Sequence, residues 1–319
     1  MEHRRLGHSG LLVSVVGLGC NNLGGRLDSA ASRVVIHAAV DAGITLFDTA
    51  DIYGEDGGSE RALGASLGHR RDQVVLATKF GHAGRDMGYG PAAGAKAGRT
   101  YIRRAVHESL QRLRTDRIDL YQLHTPDAGT PMLETLAALH ELVTEGKVRY
   151  LGHSNLTAWQ LAEAAHVAHE NGLTPFISAQ NHWSLLERDV EAELVPAAEH
   201  YGVGVLPYFP LAQGMLTGKV RRGEALPPGS RIATRSGLVT DEKLAKVQAL
   251  TEWGERNGRT VLEIAIGGLA GRPSVGSVIA GATKPEQVEA NVRAAAWHPT
   301  PEELRAIDDI VPPPAQPEF

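Results

Sequence analysis

The chain reads as an α/β protein, and more narrowly as a (β/α)8 barrel with an N-terminal β-hairpin and long βα loops on its C-terminal face. Three observations predict this. Short β-branched and apolar runs alternate with helical patterns along nearly all of its 319 residues, the signature of a parallel sheet with helical crossovers. Eight such runs can be counted, which at this length matches one barrel. The rival, a doubly wound open sheet, usually follows its first strand with G-x-G-x-x-G. Here that place holds Gly17-Leu18-Gly19-Cys20-Asn21-Asn22-Leu23-Gly24-Gly25, which is Gly-rich but carries Asn22 where the third glycine belongs.

The elements follow in order. Arg4 to Val13, with Ser9-Gly10 as its turn, predicts a hairpin that plugs the bottom of the barrel. Strands are predicted at 15–18, 45–48, 74–78, 118–124, 150–152, 176–179, 204–207 and 275–279. Helical patterns lie near 28–42, 58–67, 100–113, 131–145, 157–170, 189–200, 240–271 and 285–296. The 131–145 helix illustrates the reasoning. Thr130 suits an N-cap and Pro131 the first helical position. Leu133, Leu136, Ala137, Leu139, Leu142 and Val143 keep roughly to one face, and Gly146 ends the run as a left-handed cap beside Lys147. Residues 1–311 are expected to form a single domain. The tail at 312–319 opens with Pro312-Pro313-Pro314, which cannot form a helix.

Two irregular segments, 80–99 and 210–237, are long for connections inside a compact domain. Both follow strands, so both belong on the C-terminal face, where barrel active sites lie. Together with Trp183 and the tail they are expected to shape a roomy, partly apolar pocket, with Tyr89 contributing.

Composition removes several classes of function. The net charge is −5, so no bulk attraction to nucleic acid or to acidic membrane surfaces is expected. The lone cysteine, Cys20, permits no internal disulfide and no cysteine zinc cluster. The N-terminus lacks the apolar core of a signal peptide, and no apolar run reaches about 18 residues. A cytoplasmic protein is expected, with no membrane and no nucleic-acid partner and no metal. Homo-oligomerisation is left open.

Polar residues at strand ends converge on one rim of a barrel. The second strand delivers Asp48, with Tyr53 in the loop beyond it; the third delivers Lys79 and the fourth His124. Singly, each has an ordinary reading: a cap, a packing ring, a solvated ammonium, a satisfied histidine. Jointly they suggest proton transfer. An ammonium beside a phenol favours phenolate and lowers a pKa that is otherwise near 10, a carboxylate keeps that ammonium charged, and a histidine can orient a carbonyl oxygen. Such a site needs a hydride donor. Ser154, Asn155 and Gln180 are strand-end side chains able to read an amide, and Tyr208 offers a ring for a nicotinamide. Thr283 and Lys284 open a helix after the last strand, with Thr283 as N-cap, and form a candidate anion site. Gly19, Cys20 and Asn21 in the first glycine-rich loop are further candidates for cofactor contact. No H-E-x-x-H, metal-spaced cluster or Walker A pattern occurs. Asp48 and Asp51 are too close in sequence to make the separated acid pair of a glycosidase.

Four longer motifs carry a family resemblance. They are the run from Asp41-Ala42-Gly43 through Phe47-Asp48-Thr49-Ala50-Asp51-Ile52-Tyr53-Gly54, Ser109-Leu110-Gln111-Arg112-Leu113 through Asp119-Leu120, Gly146-Lys147-Val148-Arg149-Tyr150-Leu151-Gly152-His153-Ser154-Asn155, and Pro210-Leu211-Ala212-Gln213-Gly214-Met215-Leu216-Thr217-Gly218-Lys219. In these the chain resembles an aldo-keto reductase from Val15 to Asn291. The resemblance implies NADPH-dependent reduction of an aldehyde or ketone, with NADH as a second possibility for the cofactor. It implies Tyr53 as general acid, Lys79 and Asp48 tuning it, and His124 orienting the small-molecule carbonyl substrate. It places Ser154, Asn155 and Gln180 on the carboxamide and Tyr208, followed by Phe209, against the nicotinamide. Leu211, Gln213, Gly214 and Lys219 would line the diphosphate, and Gly281, Thr283, Lys284, Gln287 and Asn291 would hold the adenosine end. The chain departs from the family pattern where Phe209 replaces a serine, Ala290 a glutamate, and Gly281 and Gln287 basic residues. Lys284 is therefore expected to meet the 2′-phosphate alone. A non-enzymatic alternative also follows, since such barrels serve as β-subunits of potassium channels. The short stretch before the first barrel strand argues against that role, and the absence of a suitable acid pair or metal set argues against a barrel hydrolase.

Overall fold

In the computed structural model, which describes residues 1–315, eight parallel strands curl into a (β/α)8 barrel. A two-stranded antiparallel hairpin precedes it: β1 (His3–Arg5) and β2 (Leu12–Ser14). The barrel strands are β3 (Val16–Gly19), β4 (Leu46–Asp48), β5 (Val75–Phe80), β6 (Ile118–Leu123), β7 (Val148–Ser154), β8 (Phe176–Gln180), β9 (Gly204–Val205) and β10 (Val278–Gly281). They pair in chain order, and β10 pairs with β3. Bridges from Val205 to Val275 and from Tyr208 to Ile279 close the ring beyond the short β9.

The helices that cover the sheet are α1 (Ser29–Asp41), α2 (Tyr53–Leu67), α3 (Arg99–Leu113), α4 (Met132–Thr144), α5 (Ala158–Glu170), α6 (Leu194–Tyr201), α7 (Asp241–Asn257), α8 (Val261–Ala270), α9 (Pro285–Ala294) and α10 (Pro301–Ile310). Their apolar faces and the outer faces of the strands make the main core. Side chains from alternate strand positions fill the inside, where Leu46, Ala77, Leu120, Leu206 and Ile279 form one cluster. Leu6 of the hairpin connection is wholly buried in that same cluster, so the hairpin does plug the bottom.

Several expectations are refined. The 240–271 stretch is two helices, split where Gly258 takes φ 67° and the next helix opens with a Thr260–Glu263 capping box. Helix α10 was not read from the sequence, although Thr300, Pro301 and Glu303 supply a capping box and a first-position proline. Helix α4 begins at Met132 with Pro131 as its N-cap, one residue later than expected, and Thr130 donates to Asp127 instead. Gly146 does take the left-handed cap, at φ 73°. The 189–200 stretch gives only a short 3-10 turn before α6. The last strand starts at Val278 rather than 275, because Val275 instead bridges to β9. The expected tail is described only as far as 315, and its remainder lies outside the described residues.

Candidate active site

Strand alternation decides which side chains reach the rim. In β5, Ala77 and Lys79 face the barrel interior, while Thr78 turns outward and donates to Glu60 of α2 at 2.6 Å. Lys79 is buried, and its Nζ donates to Asp48 Oδ2 at 2.7 Å, to the Thr49 carbonyl at 3.0 Å and to Tyr53 Oη at 3.3 Å. Asp48 Oδ1 accepts from Gln180 Nε2 at 2.8 Å and from Gln122 Nε2 at 3.2 Å. One carboxylate therefore ties β4, β5, β6 and β8 together. Gly152 on β7 leaves the room, since a Cβ there would lie 2.2 Å from Ser178 Oγ and 3.1 Å from Gln122.

Tyr53 heads α2 on an unusual turn. Gly54, Glu55, Asp56 and Gly57 all have positive φ, and the regular helix starts after them, as the 58–67 reading expects. The first loop packs on this turn backbone to backbone. A Cβ at Gly54 would fall 2.3 Å from the Leu23 carbonyl, and one at Gly24 would fall 2.3 Å from Gly58. His124 follows β6, its ring edge-on to Tyr53 at 5.9 Å. Its amide donates to Phe80 O at 2.8 Å and its carbonyl accepts from Asn155 Nδ2 at 2.9 Å, so its backbone is fixed from both sides.

The electrostatics correct one expectation. Burial pushes the Tyr53 phenol above its ordinary value, and the lowering by Lys79 does not overcome it. The phenol thus keeps its proton at neutral pH. Burial pulls Lys79 down, but Asp48 and Tyr53 outweigh it, and the ammonium ends above its usual range. Burial, Lys79 and His82 drive His124 down to about 2, so its ring is neutral. The thiol of Cys20 is pushed well up by burial, which makes it unreactive.

These groups form the floor of a cavity of about 1070 Å³. Every residue expected to touch cofactor lines it: Gly19, Cys20 and Asn21 on the first loop; Ser154, Asn155 and Gln180 at the ends of β7 and β8; Tyr208, Phe209, Leu211, Gln213, Gly214 and Lys219 after β9; and Gly281, Thr283, Lys284, Gln287 and Asn291 at β10 and α9. Asp48, Tyr53 and His124 line it too, and Lys79 lies behind Tyr53. Part of the amide-reading set is already engaged. Ser154 donates to the Gln180 carbonyl at 2.8 Å, and Asn155 Oδ1 accepts from Tyr208 Oη at 2.9 Å. Lys284, not Thr283, is the N-cap of α9, because Pro285 takes the first helical position. The Thr283 amide and hydroxyl both donate to Gln287 Oε1, at 2.7 and 3.1 Å.

Two expected wall residues are absent from the cavity. Tyr89 is buried against Tyr101, ring centroids 5.0 Å apart. Trp183 is buried and donates to Glu191 at 2.7 Å. Of the 80–99 segment, His82 alone reaches the lining.

Sequence reasoning missed Gln122, His82, Arg26 and Arg231. Gln122 carried a signal, since it sits two positions before His124 on one strand. Arg231 carried none, because it lies in an irregular loop. Its guanidinium donates to Asn21 Oδ1 at 3.2 Å and Asn22 Oδ1 at 2.8 Å and stacks over Phe209 at 5.6 Å. Arg26 reaches across to the Gly229 carbonyl at 2.6 Å. Loop and barrel are thereby stapled over the cavity. Lys219, Arg231 and Lys284 have no carboxylate partner within 4.0 Å among the described residues. The backbone here is strained: Asn155, Phe209, Ala212 and Gln213 all have φ between 45° and 61°.

A barrel whose strand ends gather a buried lysine–carboxylate pair, a protonated phenol and a neutral imidazole beside a cation-lined cavity defines a class of barrel oxidoreductases. The aldo/keto reductase family model matches residues 15–312, and the chain belongs to that family. It is 36% identical to the "Uncharacterized oxidoreductase YrpG" of Bacillus subtilis (strain 168), over 98% of this chain and 97% of the relative. It is 35% identical to a "Probable voltage-gated potassium channel subunit beta" of Oryza sativa subsp. japonica, again over 98% and 97%. "Protein tas" of Escherichia coli (strain K12) is 32% identical, over 92% of this chain and 93% of the relative.

Proposed function

We propose that the protein reduces an aldehyde or ketone to the alcohol at the expense of NADPH, with Tyr53 as general acid. The observation that carries this reading is the Asp48–Lys79–Tyr53 chain of contacts, at 2.7 and 3.3 Å, on the floor of the cavity. The donor set suits a dinucleotide phosphate. Four lining cations, Arg26, Lys219, Arg231 and Lys284, have no carboxylate within 4.0 Å among the described residues, and the lining carboxylates are Glu286 and Asp48, of which Lys79 takes the latter. NADPH, when bound, supplies the hydride. The residues do the rest. His124, neutral, donates a hydrogen bond to the substrate oxygen. Tyr53 gives that oxygen its proton, and Lys79, held by Asp48, stabilises the phenolate left behind. Lys219, Arg231 and Lys284 would meet the phosphates, and the Gln180 Oε1, whose amide nitrogen is bound by Asp48, is an acceptor for the carboxamide.

Turnover tests the reading. Purified protein with NADPH and a panel of simple aldehydes should consume NADPH, and Tyr53→Phe should lose ~100-fold or more in kcat while binding NADPH as the wild type does. Arg231→Ala and Lys284→Ala should each weaken NADPH binding more than NADH binding if these cations read the 2′-phosphate.

The likeness to plant channel β-subunits supports a second reading, a cofactor-binding regulatory subunit. Copurification with a membrane partner, without carbonyl turnover, would favour it. No helix among the described residues is long and apolar enough to cross a membrane. A cytoplasmic location and a single domain over 1–311 complete the proposal.

A further inference from the structure

The segment after β5 holds a polar group that this chemistry leaves unused. The His82 ring stands on the cavity wall with its centroid 4.7 Å from that of His124, edge to face. Its position is built from several sides. Lys96 Nζ donates to the carbonyl oxygens of His82, Ala83 and Arg85 at 2.7, 2.9 and 2.5 Å, curling the turn around one ammonium. Thr125, the neighbour of His124, accepts the Ala83 amide at 2.9 Å and donates to the Gly81 carbonyl at 3.0 Å. The Gly84 N–H donates to His82 Nδ1 at 3.1 Å. That bond makes Nε2 the proton-bearing nitrogen of the neutral ring. Burial, then Lys96, holds His82 below its ordinary range, so the neutral form persists at neutral pH. Nε2 has no hydrogen-bond partner among the described residues.

A pre-positioned donor beside the groups that take the carbonyl oxygen will meet whatever stands next to the carbonyl carbon. An alkyl substituent would cover that N–H and leave it unpaired, which costs affinity. An oxygen there would accept from it. A neutral ring offers no charge for a carboxylate, so a hydroxyl or second carbonyl oxygen is the matching group. We propose that His82 is a substrate-binding residue whose Nε2–H takes an oxygen on the carbon next to the carbonyl, so that the preferred substrates are α-oxygenated aldehydes and ketones. This rests on the reading of Tyr53 and His124 given above.

The test compares propanal with 2-hydroxypropanal, which differ by one hydroxyl, using NADPH and the full chain. Wild type should favour the hydroxyaldehyde in kcat/KM by ~10-fold or more. His82→Phe keeps an aromatic ring but removes both nitrogens. It should abolish the preference, costing the hydroxyaldehyde ~10-fold or more in kcat/KM relative to propanal. His82→Gln, which retains an N–H donor, should restore part of it. An equal loss on both aldehydes in His82→Phe would overturn the proposal, since the ring would then only support His124. So would a wild type with no preference. If wild type reduces neither aldehyde nor 4-nitrobenzaldehyde, the reductase reading itself fails, a result distinct from a reductase that ignores the hydroxyl.

Discussion

Asp48 and Asp51 stand three residues apart and live in opposite environments. Asp48 accepts from Lys79, Gln122 and Gln180. Asp51 is fully buried with neither carboxylate oxygen partnered. Burial and Glu60 push it up to about 7, against the pull of Arg112. The sign of its effect on stability follows from linkage. An unfolded aspartate titrates near 3.9. Between about pH 4 and 7 the folded state holds a proton that the unfolded state has lost, so stability falls as pH rises and stays low above 7. Asp51→Asn should therefore stabilise by about 2–4 kcal/mol at pH 8 and be near neutral at pH 4, measured by urea unfolding at both. A loss at pH 8 would refute this. Asp48→Asn should act the other way and cost about 3 kcal/mol or more, because it strands a buried ammonium. The roles of these residues were legible unequally. Asp48, Tyr53, Lys79 and His124 announce themselves at predicted strand ends. That burial outweighs Lys79 at the Tyr53 phenol was not legible, because it depends on everything packed around the ring.

At the scale of elements, backbone contact rather than side-chain pattern sets the positions near Tyr53. Gly24 and Gly258 both have positive φ, 66° and 67°, so each favours glycine. Their surroundings differ. A Cβ at Gly258 meets nothing within 4 Å, whereas one at Gly24 meets the Gly58 backbone at 2.3 Å. Gly258→Ala should cost about 1 kcal/mol in denaturant unfolding, the backbone term alone. Gly24→Ala should cost more, and should also lower turnover by displacing the turn that carries Tyr53. Equal costs would show that the close approach is not tight. Strong elements were legible from periodicity: all eight barrel strands lie where predicted to within a few residues. The split between α7 and α8 was missed although no apolar side chain lies between Trp253 and Val261 and glycine at 258 is itself a stop signal. Helix α10 went unread although Thr300, Pro301 and Glu303 carry its start signal in the sequence.

On the scale of the whole molecule, the cavity is assembled from segments more than 250 residues apart, from Gly19 to Asn291. Strand ends could be assigned to it from barrel topology alone. The loop at 210–237 could be placed on the same face, but the role of its Arg231 could not be read, because Arg231 reaches Asn21 and Asn22 only once the barrel is closed. A ligand held by so many segments should stabilise all of them. NADP+ at 100 times its Kd should raise unfolding free energy by about 2.7 kcal/mol, read as a concentration-dependent Tm. The most direct measurement is single-turnover stopped flow: protein loaded with NADPH, mixed with an aldehyde, followed at the nicotinamide absorbance, wild type beside Tyr53→Phe. We predict one exponential loss of NADPH in wild type and a rate ~100-fold or more slower in Tyr53→Phe, with equal NADPH binding in both. Equal rates would contradict Tyr53 as the acid, and no NADPH loss in wild type with any aldehyde would contradict carbonyl reduction itself.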